Sequence, residues 1–340
     1  MSNRNLTIEE VFELAVKNHQ KNNIKEAQNL YSKILEIDPN YVNALNNLGV
    51  IFQRLGKKQR AKECYEKVIK INPTYADANY NLGNIFQELG DDQKAKDCFE
   101  KTIEIDPNYV NALNNLGVIF QRLGEHQRAK ECYEKVIKIN PTYADANYNL
   151  GNIFQELGDD QKAKDCFEKT IEIDPNYEKA LNNLGVIFQR LGVHQKAKEC
   201  FEKVIKINPN YANAHNNLGT ICQELGDDQE AKDCFEKAIE INPTYAAAHY
   251  NLGVTFKELE DYQKAKECLK KAIEINPNYI KAHNILGIIF HELGEHQKAK
   301  ECYEKVIEIN PDSFDALSNL ASIYVSRLTD FEIAISKSNE

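Results

Sequence analysis

Every proline in the chain follows the previous one by 34 residues: Pro39, Pro73, Pro107, Pro141, Pro175, Pro209, Pro243, Pro277 and Pro311. Nothing is inserted or deleted between the first and the last. A fixed period of this size belongs to repeat architectures, in which one supersecondary unit cannot bury its apolar face alone and must stack on its neighbours. Two or three separate globular cores, the reading from a length of 340 residues alone, do not fit such regularity.

One unit shows what is repeated. In Val42 to Tyr75, Ala44, Leu48, Phe52 and Leu55 recur at helical spacing and predict the apolar stripe of a first helix. Gly56 offers a left-handed position that ends it. Ala61, Tyr65, Val68 and Ile69 predict the stripe of a second helix, which Pro73 stops. The residues after the prolines, such as Asn40 and Thr74, are expected to cap the next helix. Gly49 with Ala61, Gly83 with Ala95, Gly117 with Ala129 and Gly151 with Ala163 are expected to let the paired backbones approach. A mid-helix glycine costs about 1 kcal/mol against alanine, so its recurrence implies that packing recovers the loss.

The expected fold is all-α, a solenoid of antiparallel helix pairs in units 8–41, 42–75, 76–109, 110–143, 144–177, 178–211, 212–245, 246–279 and 280–313. Residues 1–7 form a lead, with Thr7 and Glu10 spaced as a capping box. Residues 314–340 read as a partial tenth repeat or a C-terminal cap, carried by Leu317, Leu320, Tyr324, Phe331 and Ala334.

The pattern Leu48-Gly49, Phe52, Gly56, Ala61, Tyr65 and Pro73 resembles the tetratricopeptide repeat, over essentially residues 8–340. It departs in lacking a tryptophan early in the first helix, where Leu45, Asn79, Leu113, Asn147 and His215 stand. Glu260 replaces the inter-helix glycine in one unit, and Cys222 replaces the first-helix aromatic in another. The resemblance implies a right-handed superhelix that binds protein or peptide segments along a concave face made by its first helices.

Three rows fall on that face. Asn47, Asn81, Asn115, Asn149, Asn183, Asn217 and Asn251 form a ladder of amides, broken at Ile285 and resumed at Asn319. An asparagine offers a donor and an acceptor, so it can pair with an extended backbone whatever its sequence. The ladder is similar to that in the superhelical part of O-linked N-acetylglucosamine transferase, which holds extended peptides that way. The other reading is that these amides bridge neighbouring repeats. One residue earlier, Asn46, Tyr80, Asn114, Tyr148, Asn182, Asn216, Tyr250 and Asn284 set aromatic rings beside amides. Towards the helix ends Arg54, Glu88, Arg122, Glu156, Arg190 and Glu224 alternate in charge, and the simplest expectation is that adjacent members pair with each other. A Lys/Arg-Asn clamp for a C-terminal carboxylate, used by some tetratricopeptide proteins, is not expected. Glu9, Phe12, Asn43, Asn47 and Asp77 stand where its cations would be, and Lys179 and Lys281 are isolated.

Residues 41–108 and 109–176 differ only at Lys57, which becomes Glu125, and Lys58, which becomes His126. The duplicated element is thus a pair of repeats, which multiplies one surface rather than building a single pocket.

Composition narrows the function. A chain with 42% hydrophobic and 28% charged residues suits a folded protein, and a net charge of −10 argues against nucleic acid as a partner. The polar start MSNRNLTIEE and the lack of any apolar run near the roughly 18 residues of a membrane span predict a cytoplasmic protein without a membrane partner. Eight of the nine cysteines, from Cys64 to Cys302, recur every 34 residues. Equivalent positions in stacked helices lie about 8–10 Å apart, beyond the roughly 7 Å that a disulfide tolerates, so they read as packing residues. No phosphate loop, GxSxG or HExxH occurs. His215, His249 and His283 form a row, and His291 and His296 do not share a helix face.

No metal, cofactor or catalytic residue is therefore expected. The favoured function is a non-catalytic peptide-binding scaffold. The alternatives are the substrate-recruiting arm of a larger enzyme such as a glycosyltransferase, and a self-associating array in which homo-oligomers form.

Overall fold

Gly56 has a backbone φ of +69°, and Gly90 and Gly124 adopt the same left-handed conformation at +76° and +73°. With Gly56 so placed, the Lys57 N–H donates back to the Phe52 carbonyl at 2.8 Å and the Gly56 N–H to that of Gln53 at 2.9 Å. Carbonyls that a helix end would leave unpaired are thereby satisfied. The chain reverses there in every unit, and the helix pair follows.

The computed structural model describes residues 6–325. The first helices are α1 (Ile8–Gln20), α3 (Val42–Arg54), α5 (Ala76–Glu88), α7 (Val110–Arg122), α9 (Ala144–Glu156), α11 (Glu178–Arg190), α13 (Ala212–Glu224), α15 (Ala246–Glu258) and α17 (Ile280–Glu292). The second helices are α2 (Ile24–Ile37), α4 (Lys58–Ile71), α6 (Asp92–Ile105), α8 (His126–Ile139), α10 (Asp160–Ile173), α12 (His194–Ile207), α14 (Asp228–Ile241), α16 (Tyr262–Ile275) and α18 (His296–Ile309). A further helical stretch runs over 314–325, and no strand occurs among the described residues. Leu317 and Tyr324 lie on that stretch, both exposed. Phe331 and Ala334 fall outside the described residues.

The chain divides into two compact units, one ending at Ile173 and the other starting at Asp174. Within each, a helix packs on its partner and each second helix packs on the first helix of the next pair, the arrangement of an all-α solenoid. In the N-terminal unit a continuous core runs from Ala15 to Ile153, flanked by smaller clusters of Leu45, Val68 and Ala78 and of Leu113, Val136 and Ala146. Ala44, Ile51 and Phe52 of α3 meet Ala61 and Tyr65 of α4 within it.

Three local expectations need correcting. Leu55 is 46% exposed, because α3 ends at Arg54 and leaves it at the cap beyond the stripe. Ile51, fully buried, takes the place assigned to it. Thr74 does not cap α5. Its N–H and hydroxyl both donate to Asn72 Oδ1 across the proline turn, and Tyr75 occupies the N-cap without a side-chain hydrogen bond. The helix glycines make room for a ring more than for an alanine. A Cβ added to Gly49 would stand 2.6 Å from Tyr65 Cε1, and one on Gly83 equally close to Phe99 Cε1. At the N-terminus the Thr7–Glu10 capping box forms in both directions.

Of the two departures from the pattern, one carries backbone strain and the other a visible compensation. Glu260 holds the left-handed turn position at φ +59° without the freedom of glycine. In other units the first-helix aromatic lies under one or two cations, as Phe86 lies under Lys62 and Lys94, each 5.4 Å from the ring centroid. Cys222 removes that ring. Of the two cations only Lys198 remains, and Glu230, in place of the second, binds it at 2.6 Å. A lysine pair left without its ring would be two like charges side by side.

Candidate functional site

The buried stripe of each first helix decides what the wall made by these helices can present. With Ala44, Leu48 and Ile51 turned into the core, Asn43, Asn47, Val50 and Arg54 fall on the opposite edge at helical spacing. Asn43 and Arg54 are exposed, and Asn47 and Val50 half-buried. Within the N-terminal unit α3 touches α5 and α7 touches α9, and within the C-terminal unit α11, α13, α15 and α17 touch in succession, so the rows run from one repeat to the next there.

The amide ladder is half-buried along its length, and four of its members donate across the repeat boundary to asparagines of the second row. The Asn81 Nδ2 donates to Asn46 Oδ1 at 3.3 Å, Asn149 to Asn114 at 3.3 Å, Asn217 to Asn182 at 3.2 Å and Asn251 to Asn216 at 3.0 Å. Asn115 has no such partner, because Tyr80 stands where an asparagine would. It donates instead to Asn84 Oδ1, one helical turn further on, at 3.0 Å. Asn47, next to the irregular first unit, donates to the Tyr31 hydroxyl at 3.2 Å, and Asn183 accepts from Asn182. The bridging reading of these amides is therefore a structural fact. It leaves chemistry over: among the described residues, the Oδ1 atoms of Asn81, Asn115, Asn149, Asn217 and Asn251 accept no hydrogen bond.

The second row is deeper than a groove lining. Asn46, Asn114, Asn182 and Asn216 are buried as acceptors of these bridges. Tyr80 packs its ring 5.8 Å from Phe99 and 5.0 Å from Tyr109, and Tyr148 lies 5.9 Å from Phe167. These rings stay half-buried.

The charged row pairs differently from the simplest expectation. Glu88, Arg122, Glu156 and Glu224 do not bind the adjacent members of the row; each of these four reaches the first residue of the second helix in the preceding repeat. Glu88 lies 3.0 Å from Lys58, and Arg122 lies 2.6 Å from Asp92. Glu156 faces His126 at 3.1 Å and Glu224 faces His194 at 3.0 Å. The Arg122–Asp92 contact is an ion pair without hydrogen-bond alignment. Arg54 donates to Asn22 Oδ1 at 3.2 Å. Burial raises the Glu88 carboxyl, but hydrogen bonds from Gln53 and Lys58 outweigh it and hold the group below its ordinary value. The alternating sign thus serves stacking, with the partner residue alternating in step.

Two features of the wall were not singled out in the sequence. Asn84 is the alternative acceptor described above. Tyrosines that open first helices reach back to the preceding repeat: Tyr75 donates to Asn43 at 3.0 Å, Tyr109 to Asp77 at 2.9 Å and Tyr143 to Asn111 at 3.3 Å. Burial raises the Tyr109 hydroxyl, and the Asp77 carboxylate raises it further. The signal for the first was the 68-residue alternation, in which an asparagine follows four residues after Tyr80 and Tyr148 (Asn84 and Asn152), and the signal for the second was the 34-residue recurrence of Tyr75, Tyr109 and Tyr143.

The histidine row faces backbone carbonyls. The Nε2 atoms of His215, His249 and His283 lie 2.9, 3.0 and 3.0 Å from the carbonyls of Pro209, Pro243 and Pro277. The His291 and His296 rings lie 5.4 Å apart. No three His, Cys, Asp or Glu among the described residues could hold a metal ion. No described helix is long and apolar enough to cross a membrane.

Family models described as tetratricopeptide repeat match residues 74–142, 110–176, 142–208 and 176–244, and single repeats at 42–75, 246–279 and 280–313. Related repeat models match 18–56 and 302–335. Among solved structures, the APC/C hetero-tetramer Cut9–Hcn1 aligns over 92% of this chain and 95% of its own, with a TM-score of 0.57 at 13% identity. The pilF protein of Pseudomonas aeruginosa aligns over 63% of this chain and 97% of its own, with a TM-score of 0.57 at 18% identity. A tetratricopeptide repeat protein from Parabacteroides merdae aligns over 73% and 98%, with a TM-score of 0.53 at 20% identity. At these identities the likeness is one of fold. No curated protein matches the chain.

Proposed function

This chain belongs to the tetratricopeptide repeat family, whose repeats are protein-interaction scaffolds, and we propose that it is a non-catalytic scaffold holding an extended polypeptide segment along its first-helix wall. One observation carries the reading: each bridging amide spends one N–H on its neighbour and keeps its carbonyl oxygen and second N–H. The bridge fixes the rotamer before a ligand arrives, which lowers the ordering cost of binding. A row of amides held in this way offers acceptors and donors to the N–H and C=O groups of a peptide backbone without selecting its side chains. Asn47, Asn81, Asn115, Asn149, Asn183, Asn217 and Asn251 would make these contacts. Tyr80 and Tyr148 would supply apolar edges beside them, and Arg54, Glu88, Arg122 and Glu156, already tied to their own partners, would act as a mixed-charge rim.

The test is selection from a phage-displayed library of random dodecapeptides on the wild-type chain and on a variant with Asn81, Asn115, Asn149 and Asn183 all changed to Ala. Extended peptides should enrich on the wild type and not on the variant. The variant also loses bridges worth about 0.5–1.5 kcal/mol each, so circular dichroism must show it folded at the selection temperature. Equal enrichment on both proteins would remove the ladder from the account of function.

A further inference from the structure

The ladder has one interruption, and the wall changes character there. At Ile285 the amide is replaced by an aliphatic side chain, and Ile288 lies one turn further along the same edge of α17. With Tyr250 of α15 and Phe314 of the following helical stretch they line an open cavity of about 420 Å³, also bordered by Lys281, Asn284 and Asn319. Phe314 is 79% exposed, so one wall of the cavity is a large ring with little to cover it. The volume is in the range of sites that take small ligands or single side chains.

The polar groups of this cavity are as unusual as its floor. By the rule seen at Asn46, Asn114, Asn182 and Asn216, the Asn284 carbonyl should accept the amide 35 residues on, which is Asn319. It does not: Asn284 Oδ1 is buried and has no hydrogen-bond partner. A buried acceptor left unpaired is a standing cost that a ligand donor would remove. Lys281 is exposed and pairs with no carboxylate among the described residues, although the chain carries a net charge of −10. Asp315 holds the same register one repeat on and sets a negative charge on the far rim.

We propose that this cavity is an anchoring subsite for an extended peptide that carries one bulky aliphatic or aromatic side chain with a single acidic residue beside it. The side chain lies on Ile285 and Ile288 between the Tyr250 and Phe314 rings. The carboxylate meets Lys281, Asp315 disfavours a second acid, and a peptide N–H donates to Asn284 Oδ1. The inference rests on the wall taking an extended peptide and adds what the uniform amides cannot supply: a fixed register. A ladder that reads only backbone lets a peptide slide by one residue, whereas one apolar anchor stops it.

Three fluorescein-labelled nonapeptides with a common Gly/Ser frame and Glu-Leu, Glu-Gly or Lys-Leu at the centre test this by fluorescence polarisation. The Glu-Leu peptide should bind about tenfold more tightly than either of the others. Ile285→Asn, which places the ladder residue found at Asn251 and Asn319, should abolish the preference for Leu over Gly while the protein stays folded. Lys281→Glu should invert the order of Glu-Leu and Lys-Leu. A Leu preference that is absent in the wild type, or that survives Ile285→Asn, overturns the subsite. A variant with Asn217 and Asn251 changed to Ala separates the two readings. If the three peptides bind the wild type equally and lose affinity on that variant, the ladder stands and the subsite falls. If that variant binds normally while Ile285→Asn removes the Leu preference, the subsite stands and the ladder falls.

Discussion

Glu88, the last residue of α5, lies 3.0 Å from Lys58, the first residue of α4. The two are joined across a repeat boundary, and Gln53 donates to the same carboxylate at 2.9 Å. A carboxyl held below its ordinary value of 4.5 contributes stability that is present above that pH and is lost as the pH falls through its lower folded value. Lys58→Met should move the Glu88 titration upward, seen in carboxyl-carbon NMR. It should also flatten the fall in melting temperature below about pH 4.5. Both groups are largely exposed, so the effect at pH 7 should stay within about 1 kcal/mol. An unmoved Glu88 titration would mean that Lys58 does not hold it.

The glycine positions predict opposite signs. Gly83→Ala drives a methyl to within 2.6 Å of the Phe99 ring and should cost about 1–3 kcal/mol in urea denaturation. Glu260→Gly relieves a left-handed backbone at φ +59° and should stabilise by about 1 kcal/mol. Two changes of the same sign would contradict the packing described for one of them.

Cys222 and Glu230 should be energetically coupled. Glu230→Lys alone sets two lysines side by side without a ring and should destabilise. In a Cys222→Phe background, which restores the geometry seen at Phe86, the same change should cost less. A double-mutant cycle should return a coupling of about 0.5–3 kcal/mol; additivity would refute the compensation.

Cysteine chemistry gives a fourth check. Burial pushes the thiols of Cys64, Cys132 and Cys166 up to about 11, from an ordinary 9.0. Burial also pushes Cys98 up to about 12, with help from the Asp97 carboxylate. Because the thiolate is the nucleophile, thiol labelling at pH 8 should run roughly 100-fold slower in the native protein than in guanidinium. Native labelling at the denatured rate would show these thiols open to solvent.

What could be read from the residues was whatever depends on one unit. The 34-residue proline spacing, the stripes at Ala44, Leu48 and Phe52, and Gly56 each carry their reason locally, and the helix pairs follow. What could not be read depends on how one pair sits on the next. The period points Arg122 to residues 34 positions away, whereas its partner Asp92 is 30 back, an offset set by helix stacking. Whether Asn81 faces a ligand or Asn46 was likewise undecidable from Asn81 alone, since an amide suits either. Leu55 was misplaced because an apolar residue at the right spacing still leaves the core once its helix has ended.

The boundary pairs have a consequence for how such an array can change length. Glu88 matches Lys58 and Arg122 matches Asp92, so neighbouring junctions carry opposite polarity. Excising the single unit 76–109 would bring Arg122 against Lys58, cation on cation, whereas excising 76–143 would bring Glu156 there and restore a match. Among the units where the polarity alternates, a change of length by an even number of units keeps the junction charges matched, and a change by an odd number sets like charges together.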